Sequence, residues 1–295
     1  MYSINIAELT TAQKQQWLLH AVAPRPVAFA STVDKAGNVN LSPFSFFNLF
    51  SYQPSVVVFS PSRRGRDGAT KHTLQNILEV PEAVINICDV DMVQQVSLAS
   101  CEYPKGVDEF IKAGFTKQPA TLVTPPMVRE AKVKLECRVV EIKSLGDNGG
   151  AGQLVIAEVL CMHVEDSILN ADKTMIDQTK LHHIARLGSD WYCTVTKDNL
   201  FKVPKPNTQL GIGIDALPAS IVNSNILTGN DLGQLANVHE MPVIDPAYED
   251  DTLKNIIQYY SINPEEMEKE LHIHAKHLLS EGKVEAAWQV LLALS

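Results

Sequence analysis

The chain has 295 residues, 45% of them hydrophobic, which is enough to bury a substantial core and excludes a disordered polymer. A formal net charge of -9 excludes a general nucleic-acid binder, which needs a basic face, so any anion site must be a local feature. No run of about 18 apolar residues occurs, so no membrane-spanning helix is expected, and the opening "MYSINIAELTTAQKQQWLLHAVAPRP" lacks the charged-then-apolar order of a secretory signal.

In chain order, "TTAQKQQWLLHAV" predicts a helix with Thr10 or Thr11 as N-cap, stopped by Pro24 and Pro26. The runs "VAFASTV" and "VNLSPFSFFNLF" around "DKAGN" predict a hairpin, because Asp34, Gly37 and Asn38 supply its turn chemistry. "SVVVFS" is a third strand, "TKHTLQNILEV" a short helix, "EAVINICDV" a strand and "DMVQQVSLAS" a helix. Two long strand patterns, "AKVKLECRVVEIKSLG" and "GQLVIAEVLCMHVED", flank the turn "DNGGAG". In the first of them Val133, Leu135, Cys137, Val139 and Glu141 are expected to share a face, with polar or mixed residues on the other. About six or seven strands joined by hairpins or short helices predict a mainly β fold with helices, an antiparallel barrel rather than a doubly wound sheet. The regular βαβ alternation and glycine fingerprint of a dinucleotide fold are absent. From "KVPKPNTQLGIGID" onward the texture changes to Pro, Gly and Asn with little periodicity, read as an extended arm. Three helical patterns close the chain, the second beginning at Pro264 with acids in its first turn.

The candidate chemistry concentrates early. "SPFSFFN" at 42 to 48 places polar groups among phenylalanines in a strand, where an unpaired buried hydroxyl or amide costs about 1–3 kcal/mol, so these groups call for a partner. The loop "SPSRRGRDGATKHT" gathers Arg63, Arg64, Arg66 and Lys71 with glycines and hydroxyls ahead of a helix whose first turn holds Thr73. It reads either as a phosphate site or as a solvated charged loop. It does not match a nucleotide-hydrolysing P-loop, since His72 follows the lysine. His272, His274 and His277 lack the i, i+4 spacing of a metal helix and are expected on a solvated face. Gly211 and Gly213 carry no dinucleotide signal, and His182 and His183 read as loop histidines ahead of the alternative that they border a ligand site. Cys88, Cys101, Cys137, Cys161 and Cys193, odd in number and without a C-x-x-C pair, are expected as reduced, buried thiols of a cytoplasmic protein. No metal set, nucleophilic triad or other catalytic side chain is identifiable, which directs attention to cofactor chemistry.

The segments "RPVAFASTVDKAGNVNLSPFSFFN", "VVVFSPSRRGRDGATKHTLQNI", "YPKGVDEFIKAGFT", "PPMVREAKVKLEC" and "IARLGSDWY", in that order, resemble the flavin reductase-like family of FMN-binding split barrels, in the branch that includes flavoredoxin. The resemblance covers 24 to 206 and implies a split-barrel domain at 1–206 followed by an extension at 207–295, an arm and then helices. It implies FMN, with NADH or NADPH as donor, in an oxidoreductase that passes electrons to free flavin, a ferric complex or a redox protein. The alternative is a non-enzymatic flavoredoxin-type carrier reduced by a partner protein. Carried over by motif position, Ser31 and Thr32 lie near the flavin, and Ser42, Ser45 and Asn48 contact its ring or ribityl chain. Ser60, Arg63, Arg64, Lys71 and Thr73 take the phosphate, and Arg186, Gly188 and Tyr192 belong to an element near the site. The family's habit further implies a homodimer whose flavin sites sit at the subunit interface. His72 departs from the family, in which an aspartate commonly follows the lysine.

Overall fold

Thr10 opens the first helix, α1 (Thr11–Ala21), through a capping box in which its Oγ1 accepts from the Gln13 amide while the Gln13 side chain accepts from the Thr10 amide. The helix ends ahead of β1 (Arg25–Pro26), where buried Arg25 donates to the carbonyls of Leu19 and Val22 at its C-terminus. The computed structural model describes residues 1–204 and 210–293, which form two bodies, Met1–Phe201 and Lys202–Ser295, each with its own hydrophobic core. The boundary expected between residues 206 and 207 lies outside the described residues.

In the first body β2 (Ala28–Val33) and β3 (Val39–Phe44) form the expected hairpin, with Asp34 Oδ1 accepting from the amides of Ala36 and Asn38. "VNLSPFSFFNLF" is not one strand. It breaks after Phe44 and resumes as β4 (Phe47–Tyr52), which pairs with β5 (Ser55–Phe59). There follow α2 (His72–Glu79), β6 (Glu82–Ile87), α3 (Val93–Ala99), α4 (Glu109–Ala113), the short pair β7 (Lys117–Gln118) and β8 (Met127–Val128), and the long strands β9 (Val133–Ser144) and β10 (Gln153–Val164). β11 (Ile184–Arg186) and β12 (Tyr192–Thr194) join β1 in a small sheet.

The main sheet is antiparallel throughout and ordered β3-β2-β6-β9-β10-β5-β4. Its two edge strands, β3 and β4, are consecutive in the chain and joined only by Ser45 and Phe46. The sheet must therefore curl until its edges meet at that corner, which makes it a barrel left open along one seam. Pro43 lacks an N–H and is accommodated because β3 is an edge. The concave face buries Ala28, Ala30, Phe44, Val57, Phe59, Ile85, Cys137, Val155 and Ala157, with Leu74 and Ile77 of α2 in the same cluster. Phe29 and Leu41 face the other way into a cluster with Val96 of α3 and Phe110 of α4.

The alternation expected in β9 holds from Val133 to Val139 and then fails. A bulge leaves Val140 without a partner between the pairs Val139↔Ala157 and Glu141↔Ile156, so Ile142 turns to the core and Glu141 is exposed. On the opposite face Lys134 and Glu136 are buried, at 6% and 0% exposure, where polar surface positions were expected. The cysteines also correct the expectation of uniform burial. Cys88 and Cys137 are buried, Cys161 is half-buried, and Cys101 and Cys193 are exposed, all with free thiols.

The second body contains α5 (Ala219–Val222), α6 (Gly229–Leu235), α7 (Asp251–Tyr259), α8 (Pro264–Ser280) and α9 (Val284–Leu292). The stretch expected as an extended arm is extended only in part, for it includes α5 and α6 and places Leu217, Ile221, Leu227 and Leu235 in a core around Trp288. Residues 205–209 of that stretch lie outside the described residues. The α8 histidines do not share a solvated face. His272 is buried with Nδ1 2.8 Å from Ser224 Oγ, and His274 Nε2 lies 2.8 Å from Asp250, while His277 is exposed. α8 is packed on more than one side, so a residue two positions along from a buried one also finds protein.

Candidate functional site

The basic loop 60–71 is fixed by backbone bonds before any side chain acts. Ser60 N donates to Phe46 O at the β3–β4 corner, Arg63 N donates to Ala151 O, Arg64 N to Ala69 O and Gly150 N to Arg63 O. The loop thus lies against the β9–β10 turn so closely that a Cβ on Gly149 would stand 2.5 Å from Gly65 O, an approach only glycine permits.

On its other side the loop borders a cleft of about 40 Å³ lined by Asn40 and Ser42 of β3, Arg64, Lys71 and His72, and Cys101, Glu102, Tyr103 and Glu109. Beneath it runs a buried polar chain. Thr73 Oγ1 donates to Asn40 Oδ1 at 2.6 Å, Asn40 Nδ2 donates to Glu109 Oε1 at 2.8 Å, and Leu41 N donates to Glu109 Oε2 at 3.0 Å. This chain ties the start of α2, strand β3 and the start of α4 into one floor. Burial pushes the Glu109 carboxyl above the ordinary range.

The cleft is electropositive on its loop side. His72 is pushed below its ordinary value, first by burial and then by the charges of Arg64, Lys105 and Lys71. Among the described residues the Nε atoms of Arg63 and Arg64 are buried without a hydrogen-bond partner, and Glu102 Oε1 stands 3.8 Å from Arg64 Nε, beyond bonding distance. Lys71 is the N-cap of α2, and its side chain cannot accept from the first-turn amides. The unpartnered Arg64 nitrogen, a lysine and an uncapped helix start are the donor set of an anion site, and they fit a phosphate group.

Of the residues singled out from the sequence, Ser42, Arg64 and Lys71 come together in the cleft. Arg63 belongs to the loop but does not line the cleft, turning its Nη atoms to Gly68 O and Asp147. Ser31, Thr32 and Thr73 are 0% exposed; Ser31 donates to Pro126 O, Thr32 Oγ1 accepts from Asn76 at 3.2 Å, and Thr73 belongs to the floor. Ser60 is buried and accepts from Gln153 N at 2.9 Å. Ser45 is half-buried in the corner, and Asn48 is exposed on β4 with Oδ1 accepting from Leu49 N. Arg186 stacks on Tyr192, 5.1 Å from the ring centre, and donates to its hydroxyl, so the pair serves the small sheet. Sequence reasoning missed Asn40, Cys101, Glu102, Tyr103 and Glu109. The only signal for the last was an acid at the first position of a helix too short to show periodicity.

The model of the flavin reductase like domain matches residues 20–184, and the chain belongs to that family. An uncharacterized protein of Aquifex aeolicus is 34% identical over 59% of this chain and 86% of its own length. Among solved structures, nitrilotriacetate monooxygenase component B from Bacillus cereus superposes with a TM-score of 0.64 at 29% identity, covering 69% of this chain and 98% of that one. A protein of Shewanella frigidimarina with a split barrel domain gives 0.58 at 26% identity, covering 68% and 96%. The open-seamed antiparallel barrel described above is the split-barrel fold.

Proposed function

We propose that the chain is an FMN-dependent oxidoreductase that takes electrons from NADH or NADPH and passes them to an acceptor such as free flavin, a ferric complex or a redox protein. The observation that carries this reading is the buried Arg64 Nε, without a partner among the described residues, in the cleft that Arg64 lines with Lys71, in a chain of the flavin reductase family. Bound FMN would supply hydride acceptance at its N5 and onward electron delivery. The chain's own residues would bind and orient it. Arg64 and Lys71 would hold the phosphate with help from Arg63 and the amides that open α2, and Ser42 would meet the ribityl chain. Ser45 and Asn48 would meet the ring along the β3–β4 corner. Ser31, Thr32, Ser60 and Thr73 would keep β2, the loop and α2 in register beneath it. The likeness to a monooxygenase component supports an acceptor outside this chain.

A cleft of about 40 Å³ takes a phosphate but not a three-ring flavin, since pockets that bury such ligands measure roughly 300 Å³ or more. The exposed edge strand β4 carries Leu49, Phe50 and Tyr52 at 60%, 68% and 87% exposure, with Phe46 at the corner. Both observations support a homodimer in which a second copy completes the ring site. The second body is proposed as an accessory unit, and the free thiols support a cytoplasmic location.

Titration of the purified protein with FMN, followed by anaerobic addition of each pyridine nucleotide, tests the reading. Bound yellow cofactor bleached by NADH or NADPH is the expected result. Bound cofactor reduced by neither, but by a partner protein, would make the chain an electron carrier, and failure to take up FMN would end the flavin reading.

A further inference from the structure

Strands β9 and β10 carry a second constellation that the flavin reading does not use. Opposite Cys137 the ladder slips: Val159 pairs with Cys137, Leu160 has no partner, and Cys161 pairs with Glu136, followed by His163 opposite Lys134. Without that bulge Cys161 would face Leu135. With it, Cys161 and His163 share a sheet face with Glu136, and bulges commonly re-aim side chains in this way. One ligating atom from each of the three lies within 4.8 Å of the others.

Glu136 is fully buried, yet it is anchored rather than stranded. Oε1 accepts from Thr121 N at 2.8 Å, and Oε2 accepts from Leu122 N at 2.5 Å and Val123 N at 3.2 Å. Burial alone would raise its carboxyl, but the bonds from Thr121, Leu122 and His163 hold it below the ordinary range. The remaining direction of Oε1 meets His163 Nε2 at 2.6 Å. His163 and Cys161 are each partly open to solvent, which leaves an entry path.

We infer that Glu136, Cys161 and His163 form a site for a borderline divalent cation of the zinc class. A nitrogen, a sulfur and a single carboxylate oxygen suit zinc, whereas magnesium and calcium require an all-oxygen shell. The cation enters between Nε2 and Oε1, and those atoms separate to about 3.3 Å in a tetrahedral arrangement. Binding releases the Cys161 thiol proton to solvent, and the neutral imidazole bonds through Nε2 as its single ring proton moves from Nε2 to Nδ1. The resulting thiolate and carboxylate balance the two charges of the ion. The backbone donors on Glu136 are the outer contacts that orient a ligating carboxylate, and three protein donors leave the fourth position to water.

Cobalt(II) added to the full-length protein is the probe, because a thiolate ligand gives a sulfur-to-cobalt charge-transfer band in the near ultraviolet. The expected result is such a band saturating at one equivalent per chain and displaced by zinc. Cys161→Ser should lose the band, and His163→Gln should lower the affinity for cobalt at least tenfold with the band retained. Glu136 is left intact because its removal would free the 121–123 turn. Absence of the band in the wild-type protein, or its persistence in folded Cys161→Ser, which would place the metal on Cys101 or Cys193, overturns the assignment.

Discussion

Replacing Arg64 by alanine tests the anion site most directly. Its Nε is already buried and unpartnered, so desolvation of that nitrogen has been incurred in folding and a phosphate arriving there meets a donor with nothing to give up. A bond from a charged donor to a charged acceptor contributes about 1.5–3 kcal/mol, so Arg64→Ala should weaken FMN by roughly tenfold to a hundredfold or more. The competing loss is small. Glu102 stands 3.8 Å from Nε on a side chain 41% exposed, and such pairs contribute about 0–1 kcal/mol. Riboflavin carries the same ring without phosphate and controls for damage to the fold. Fluorescence titration of both ligands against wild type and variant should show the loss for FMN alone. Equal losses would place Arg64 on the ring or in the scaffold, and no loss for either would remove it from the site.

Lys71→Ala should act in the same direction on FMN and spare riboflavin, again by about 1.5–3 kcal/mol, read in the same titration. Stability should fall with pH in two stages. His72, His183 and His272 are all held below 6.5, first by burial, so at these three the unfolded chain binds more protons and stability declines as pH falls through that value, a loss only partly offset by Glu109, whose burial-raised carboxyl binds its proton more readily in the folded chain. Asp34, held down first by its bond from Asn38, and Glu136 and Asp250, whose hydrogen bonds outweigh burial, add a second decline as pH falls below their unfolded values of 3.8, 4.5 and 3.8. Urea midpoints measured from pH 8 to pH 3 check this, and a midpoint that rises between pH 7 and pH 5 would contradict it. In the second body, Trp288→Ala empties a fully buried site whose Nε1 donates to Leu235 O, at a cost of about 3–5 kcal/mol seen in the denaturation midpoint of that body.

The elements read most easily from the sequence were those whose signals are local. Thr10 with Gln13, Asp34 with Gly37, and Pro264 with the acids that follow it each determine their own turn or cap by short-range bonds. The basic loop was legible for the same reason, since its cations stand within nine residues of one another. What the sequence hid depends on distant partners. Glu136 looks like a surface position until the amides of 121–123 fold over it, and Glu109 and Asn40 meet across 69 residues. Bulges at Val140 and Leu160 are invisible to a two-residue period, because an extra residue shifts parity without altering composition. Ser31 and Thr32 lie at the end of β2, and the partners of their hydroxyls, Pro126 and Asn76, are 95 and 44 residues away in the chain.

The Ser45–Phe46 link works as a clasp. Three Cα steps reach at most about 11 Å, so the first and last strands of the sheet are held within that distance at one corner, whatever happens to the ladder between them. Fraying therefore cannot start independently at either rim near this corner: to peel β4 outward is to pull on Phe44, and through it on Ser42 and the wall of the cleft. The same bond geometry resists exchange of β4 with another copy, since a swapped strand would have to carry β3 with it. Glycines inserted between Ser45 and Phe46 would loosen the corner, and the anion site should then register a disturbance made at the sheet's far rim.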